Sequence, residues 1–333
     1  MKEPGVATGL QDDVLAAVGH TPLIRIRRMA PPQVTMAVKL EAVNPGGSIK
    51  DRIAVALVDA AEREGRLRPG GTIIEATAGN TGVALAMVAA VRGYRALFVV
   101  PDKMSPEKVA VLGAYGAEIV RTRSDLPSDH PDSYQSLARR LAAERPGAVY
   151  MGQFEQPANP RAHYVSTGPE IWAATGGTVT HLVAGVGTGG TLSGTARYLK
   201  EQRPDLRVVA ADPEGSVLSG GESHPFLVEG IGEDYVPQTF DPSLVDSYRR
   251  VSDAAAFAAA RALTRLEGVL AGGSSGTALV AALVEAETAP PGSLLVVILP
   301  DSGRNYLSGF YRDEWLREHC PEALDIERQR WPR

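Results

Sequence analysis

Cysteine is all but absent: Cys320 is the only one in 333 residues. That excludes an intramolecular disulfide and a metal cluster built on cysteine. Runs of basic residues are missing as well, and the formal net charge is -5. Nothing in that balance calls for nucleic acid or an anionic membrane as a partner. Long apolar runs are also lacking. The longest near the end, Leu294 to Leu299, is far too short to span a bilayer. The N-terminus, with Lys2, Glu3, Asp12 and Asp13, has no apolar core of the kind a secretory signal needs. No internal repeat or low-complexity segment is visible. What remains is ordinary globular composition, 44% hydrophobic and 22% charged, in a chain more naturally two domains than one. The expectation is a soluble, cytoplasmic protein that takes small molecules.

Periodicity points to an α/β fold. Strands are expected at Leu23 to Ile26 and Met36 to Glu41, and a helix carrying Ile53, Ala54, Ala56, Leu57, Ala60 and Ala61 ends at Gly65. From Thr72 the pattern runs strand (Ile73 to Glu75), helix (Val83 to Arg92), strand (Ala96 to Val100), helix (Ser105 to Tyr115), strand (Glu118 to Val120). That βαβαβ order is the mark of a parallel sheet covered by helices. A helix around Tyr134 to Ala143 and a strand at Val149 to Met151 follow, and Gln153 to Pro160 is expected as a crossing loop. The rhythm then restarts with strand His181 to Ala184, helix Leu192 to Glu201 and strand Arg207 to Ala211. A long irregular region, Asp212 to Asp241, suits a flap or cleft lining. Helices at Ala254 to Arg265 and Thr277 to Ala286 and a buried strand at Leu294 to Leu299 complete the pattern. The fold class expected is α/β, with two domains of twisted, mostly parallel sheet flanked by helices and a cleft between them.

The stretch Asn44-Pro45-Gly46-Gly47-Ser48-Ile49-Lys50-Asp51-Arg52 joins a strand to a helix through a turn with almost no side chain. It sets Lys50 in the first helical turn, with Ser48 as a cap. By itself this is most simply a solvated lysine at a helix start. A lysine that forms a Schiff base needs more, because its amine must be partly desolvated to be a nucleophile well below its free pKa of about 10.4.

Four further loops follow strands and open helices, where backbone N–H groups converge and favour anions. Thr77-Ala78-Gly79-Asn80-Thr81-Gly82 offers amides and two hydroxyls to a carboxylate, with Asn80 as a neutral partner for a ring oxygen. Gly185-Val186-Gly187-Thr188-Gly189-Gly190-Thr191 is built to cradle a phosphate. This loop also fits G-x-G-x-x-G, and Asp212 lies about 20 residues on, so a nicotinamide-dependent oxidoreductase is a second reading of it. Gly272 to Gly276 is a turn from which Ser274 can address a ring nitrogen, and Pro300-Asp301-Ser302-Gly303-Arg304-Asn305-Tyr306 closes the same pocket. A desolvated lysine, an asparagine turn, a phosphate cradle and a serine turn together suit one cofactor, pyridoxal 5'-phosphate. The oxidoreductase reading leaves the Lys50 stretch unexplained.

From Gly19 to about Trp315 the chain resembles the fold-type II pyridoxal-phosphate enzymes, with the tryptophan synthase β-like fold, and within them the cysteine synthase and cystathionine β-synthase family. The resemblance implies that Lys50 carries the cofactor. It implies that Asn80, Gly187, Thr188, Gly189, Gly190, Thr191 and Ser274 bind that cofactor, and that Thr77, Ala78, Gly79, Thr81, Gln153 and Gly230 bind substrate. It also implies β-replacement on L-serine or an O-activated serine through an aminoacrylate. With homocysteine as the thiol the product is cystathionine. The alternative is a cysteine synthase using O-acetylserine or O-phosphoserine and sulfide. Asp212 to Ser216, Val228 to Pro237 and Pro300 to Tyr306 lean toward the cystathionine β-synthase core. Three departures stand out. Ala78 replaces the family's usual serine, Glu233 replaces a tyrosine common in cystathionine β-synthases, and the core is expected to stand without the tandem regulatory domains and haem segment of the animal enzymes. A homodimer is expected by resemblance. The expected division is a smaller mobile domain at 34–155, a larger one at 12–33 and 156–320, and tails at 1–11 and 321–333.

Overall fold

The computed structural model describes residues 10–331 apart from 78, 103, 105, 124–125 and 127–129. β1 (Leu23–Ile26) and β2 (Thr35–Leu40) come first, then α1 (Lys50–Arg63). Next are β3 (Thr72–Ala76), α2 (Asn80–Arg92), β4 (Arg95–Pro101), α3 (Pro106–Ala114), β5 (Glu118–Thr122), α4 (Tyr134–Glu144) and β6 (Ala148–Tyr150). Two short helices, α5 (Ala158–Val165) and α6 (Thr167–Ala174), lead into β7 (His181–Gly185), α7 (Gly190–Gln202) and β8 (Arg207–Pro213). Residues 214–241 carry neither helix nor strand. β9 (Ser247–Val251), α8 (Asp253–Glu267), α9 (Gly273–Thr288), β10 (Leu294–Leu299), α10 (Asp313–His319) and α11 (Glu322–Arg330) complete the chain.

The strands form two sheets. One has six strands in the order β1-β2-β10-β7-β8-β9, and the other has four in the order β5-β4-β3-β6. Among the described strands, β1 pairs with β2 antiparallel and the remaining pairs are parallel. Parallel strands are covered by helices on both faces, and the central β3 and β10 show it: Ile73, Ile74 and Leu295 to Leu299 are wholly enclosed. No helix among the described residues is long and apolar enough to cross a membrane.

Several elements differ from expectation, each for a local reason. β2 pairs with β10 in the six-stranded sheet, whereas residues from 34 onward were expected with the smaller unit. Gln153 to Pro160 is loop only as far as Pro157, and α5 follows. Its prolines sit at the cap and in the first turn, where a missing N–H costs nothing. β9, Ser-Tyr-Arg-Arg-Val, is a polar edge strand beside β8 and has no apolar alternation to betray it. Gly272 to Gly276 is a helix start rather than a free turn, since α9 begins at Gly273. Glu322–Arg330, expected in a tail, form α11 packed on α8, with Arg261 donating to Glu327 at 2.9 Å.

Candidate active site

Lys50 is positioned from two sides. Behind it, the Ile49 N–H donates to the Pro300 carbonyl (2.8 Å), so the start of α1 is stitched to the end of β10. Ser48 Oγ accepts the Lys50 N–H at 3.2 Å, but the cap position itself falls to Ile49, one residue after the serine expected there. Gly46 is required by close approach. Its N–H donates to the Asp51 carboxylate at 2.5 Å, and a Cβ there would overlap that group. Beneath the helix start lies a buried charge network that sequence reasoning missed. Arg52 donates to Glu41 (2.7 Å) and Glu170 (2.7 Å), and Lys39 joins Glu170 at 2.6 Å. Burial alone would raise Glu170, but Arg52 and Lys39 hold it down to about 2. Such a network is satisfied only in one geometry, so it fixes α1 against β2 and α6. No local signal marks it: Lys39 and Glu41 fall on the polar side of the Met36 to Glu41 alternation, opposite Met36, Val38 and Leu40, and so read as solvent-facing.

The Lys50 amine opens into a cavity of about 770 Å³, within the range of small-molecule sites. Its walls are the C-terminal ends of β3, β4, β7 and β10, at Ala76, Pro101, Gly185 and Pro300. That is where parallel sheets bind ligands. Burial pushes the amine below its ordinary value, opposed by the charges of Glu233 and Asp301. That shift runs in the direction a Schiff-base lysine requires.

The structure brings Thr77, Gly79, Asn80, Thr81, Gln153, Gly187, Thr188, Gly189, Thr191, Gly230 and Ser274 to this same cavity. Gly190 starts α7 immediately behind the loop; Ala78 lies outside the described residues. At the start of α2, Thr77 Oγ accepts the N–H groups of Gly79 (3.2 Å) and Gly82 (3.3 Å). The hydroxyl of Thr81, expected to face a carboxylate, instead donates to Gln153 Oε1 at 2.7 Å, because the crossing loop lies directly against α2. That leaves the Gln153 amide nitrogen as a donor. Asn80 Nδ2 donates to Asp301 Oδ2 (2.8 Å), which also accepts from the Tyr306 hydroxyl (2.8 Å). Asp301 was read only as part of a closing loop. Burial raises its carboxyl, while Asn80 and Tyr306 oppose that rise.

At the start of α7, the N–H groups of Gly187, Thr188 and Gly189 meet no acceptor among the described residues. A layer behind the loop holds it. Asn159 Nδ2 donates to Thr188 Oγ1 (3.0 Å), Thr239 Oγ1 donates to the Thr188 carbonyl (2.5 Å), and His163 Nε2 lies 3.2 Å from Thr191 Oγ1. His163 is neutral, pushed well below its usual value by burial and by the charges of Arg52 and Lys50. Asp212 does not join them: it is buried, accepts the Ser219 N–H at 2.9 Å and is no part of the cavity wall. The acidic partner that a dinucleotide ribose requires is thus turned elsewhere.

The donor set fits pyridoxal phosphate. Open amides at a helix start suit a dianionic phosphate, a desolvated lysine suits its aldehyde, and Asn80 and Ser274 are neutral partners for the ring. Glu233 also faces this space, raised to about 8 by burial and Asp234, with Lys50 opposing.

Comparison with known proteins bears on the same residues. The family model described as "Pyridoxal-phosphate dependent enzyme" matches residues 14–301. The cystathionine beta-synthase of Apis mellifera is 45% identical over 98% of this chain and 67% of its own length. The cysteine synthase of Staphylococcus aureus (strain Mu50 / ATCC 700699) is 43% identical over 89% of this chain and 96% of its own. Among solved structures, the O-acetylserine dependent cystathionine beta-synthase from Helicobacter pylori superposes with a TM-score of 0.86 at 40% identity, covering 91% of this chain and 99% of that one. The chain spans between 59% and 67% of the length of the first curated cystathionine beta-synthases it matches.

Proposed function

The chain belongs to the family of pyridoxal-phosphate dependent enzymes, and from that premise we propose that it catalyses β-replacement on L-serine or an O-activated serine with a thiol nucleophile. Homocysteine as the thiol gives cystathionine. The observation that carries this reading is that Lys50, half-buried at the start of α1, lines the same cavity as the open amides of Gly187, Thr188 and Gly189.

When bound, pyridoxal phosphate supplies an electron sink for negative charge at the substrate α-carbon. The chain's own residues do the rest. The amides and hydroxyls of Gly187 to Thr191 hold the phosphate, and Asn80, its amide oriented by Asp301, donates to the ring oxygen. Ser274, neutral, partners the ring nitrogen without forcing a proton onto it, which favours loss of a β-substituent over transamination. The first turn of α2 and the amide of Gln153 take the substrate carboxylate. Lys50 Nζ removes the α-proton and returns it once the thiol has added. Burial lowers the basicity of that amine, in the direction that favours its unprotonated, proton-accepting form. The smaller unit, around the four-stranded sheet, closes over the substrate and excludes water.

A second reading, cysteine formation from O-acetylserine and sulfide, is supported by the Staphylococcus aureus relative, which this chain matches over 96% of that protein's length. A cytoplasmic homodimer completes the proposal.

The test is the visible spectrum of purified protein beside Lys50→Ala, followed by product assays. Serine, O-acetylserine and O-phosphoserine are each paired with sulfide or homocysteine. We expect a visible band in the wild type that changes on adding the first substrate and is lost or altered in Lys50→Ala. A colourless wild type that takes up no pyridoxal phosphate would sink the proposal.

A further inference from the structure

α5 packs on the first turns of α7 at a separation that only glycine permits. A Cβ on Gly190 would meet the Asn159 side chain, and one on Gly194 the Pro160 carbonyl and His163. The two glycines are four residues apart on α7, as Asn159 and His163 are on α5, so each pair shares one helix face. The close approach carries both polar side chains of α5 to the back of the glycine loop, where each meets a threonine hydroxyl. Asn159 Nδ2 is 3.0 Å from Thr188 Oγ1, and His163 Nε2 is 3.2 Å from Thr191 Oγ1. Asn159 and His163 are buried, so water does not compete for these bonds.

The direction of each bond follows from what stands on its far side. The Asn159 amide nitrogen also donates to the Gln153 main-chain carbonyl (2.8 Å). A carbonyl only accepts, so this nitrogen is the donor to Thr188 as well. On the far side of His163, Nδ1 lies 2.9 Å from Thr167 Oγ1, a buried hydroxyl whose proton has no other acceptor among the described residues. That proton goes to Nδ1. The neutral ring then carries its own proton on Nε2 and donates it to Thr191. Each threonine oxygen thus receives a hydrogen bond from behind, and its own proton is left for the cavity. With either bond reversed, the threonine would turn a lone pair toward an anion.

Resting on the placement of the cofactor phosphate at Gly187 to Thr191, we propose that α5 sets the polarity of that cradle: Asn159 and His163 are positioning residues that turn the hydroxyl protons of Thr188 and Thr191 onto the phosphate. Hydrogen bonds to an ionised acceptor are the strong ones, so the direction of two protons matters to how firmly the group is held. A protonated imidazole would donate from Nδ1 too and strand the Thr167 proton. Burial and the charges of Arg52 and Lys50 keep the ring neutral.

The test reads the ring directly, by nitrogen NMR of holoenzyme carrying isotope-labelled histidine. The resonances that disappear in His163→Gln are expected to show a proton on Nε2 and none on Nδ1. A proton on Nδ1, or on both nitrogens, overturns the proposal. Affinities for pyridoxal phosphate and for pyridoxal, which lacks the phosphate, are then compared on the whole chain after stripping and reloading. His163→Leu should weaken pyridoxal phosphate about tenfold relative to pyridoxal. His163→Gln, whose amide nitrogen can donate from the place of Nε2, should recover most of that loss. Equal losses for the two ligands, or no recovery in His163→Gln, make His163 a packing residue and overturn the assignment. Should His163→Leu fail to fold, the wild-type tautomer decides. Thr188→Val and Thr191→Val separate the proposal from its premise. Selective loss of pyridoxal phosphate in both, beside the wrong tautomer, leaves the cradle standing without its set polarity. No selective loss in either removes the phosphate from this loop, and the proposal with it.

Discussion

The starts of α2 and α7 are both glycine-rich and both open into the cavity, yet they are built in opposite ways. At α7 the loop is pressed from behind. A Cβ on Gly187 would meet the Gly230 carbonyl, one on Gly189 the Phe240 side chain, and one on Gly190 the Asn159 amide. Gly189 also has φ +79°, a left-handed conformation that strains other residues. At α2, Gly79 has extended φ and no described residue within 4 Å of its Cβ position; only Gly82, inside the helix, is close-packed, against Thr77 and Leu112, and Thr77 braces the turn from inside. A group retained through every turnover suits a packed cradle, whereas a substrate that enters and leaves needs slack in the loop that holds it. The same glycine-rich composition therefore serves rigidity in one place and room in the other.

That contrast can be broken at its rigid end first. Gly189→Ala should cost roughly 2–4 kcal/mol from overpacking and left-handed strain, read as a lowered Tm. Weakened pyridoxal-phosphate uptake should accompany it. An unchanged Tm would mean that the cradle is not packed as described. Next comes the carboxyl under the substrate loop. Glu75, at the end of β3, accepts the Ala76 N–H (3.0 Å) and the Gln153 N–H (3.3 Å), and burial raises it to about 8. Its native form holds a proton that the unfolded chain has lost above about pH 4.5, so stability should fall as pH rises from there through pH 8. The slope for one proton is at most about 1.4 kcal/mol per pH unit. Glu75→Gln should flatten this part of the stability–pH curve, and an unaltered slope would show that Glu75 titrates normally.

A smaller effect is expected at Thr81→Val, which removes the hydroxyl held by Gln153. The KM of the first amino-acid substrate should rise by about tenfold, the cost of roughly 1.4 kcal/mol, with a lesser change in cofactor affinity. Equal losses in both would blur the division between the two loops. The smallest effect belongs to Gly79→Ala. With extended backbone and open space, it should change stability by less than about 0.5 kcal/mol, and a large drop in Tm would show that the α2 turn is as tightly packed as the α7 cradle.

Much of this architecture is legible in sequence because its causes are local. Alternation and helical spacing place β3, α2, β4 and β10 within a residue or a few, and Gly93 closes α2 with φ 73° where a glycine was expected to stop it. Polar edges and proline-bearing starts defeated the same logic at β9 and α5, because neither carries an apolar period of its own. The candidate residues Lys50, Asn80, Thr188 and Ser274 stand out only as a conjunction of turns, since Lys50 and Ser274 alone read as ordinary helix starts, and the four do share one cavity.

By itself, then, the sequence determined the strand–helix rhythm, the placing of Lys50 at a helix start and the glycine loops that leave amides open. These depend on neighbours within a few positions. Tertiary structure alone decided that Asp301 orients Asn80 across 221 positions, that Arg52 ties α1 to Glu170 across 118, and that Lys108 faces Glu229 across 121. A charged side chain reads the same in sequence whether solvated or paired; only the packing of the two sheets sets which partner stands within reach and whether water is excluded from between them.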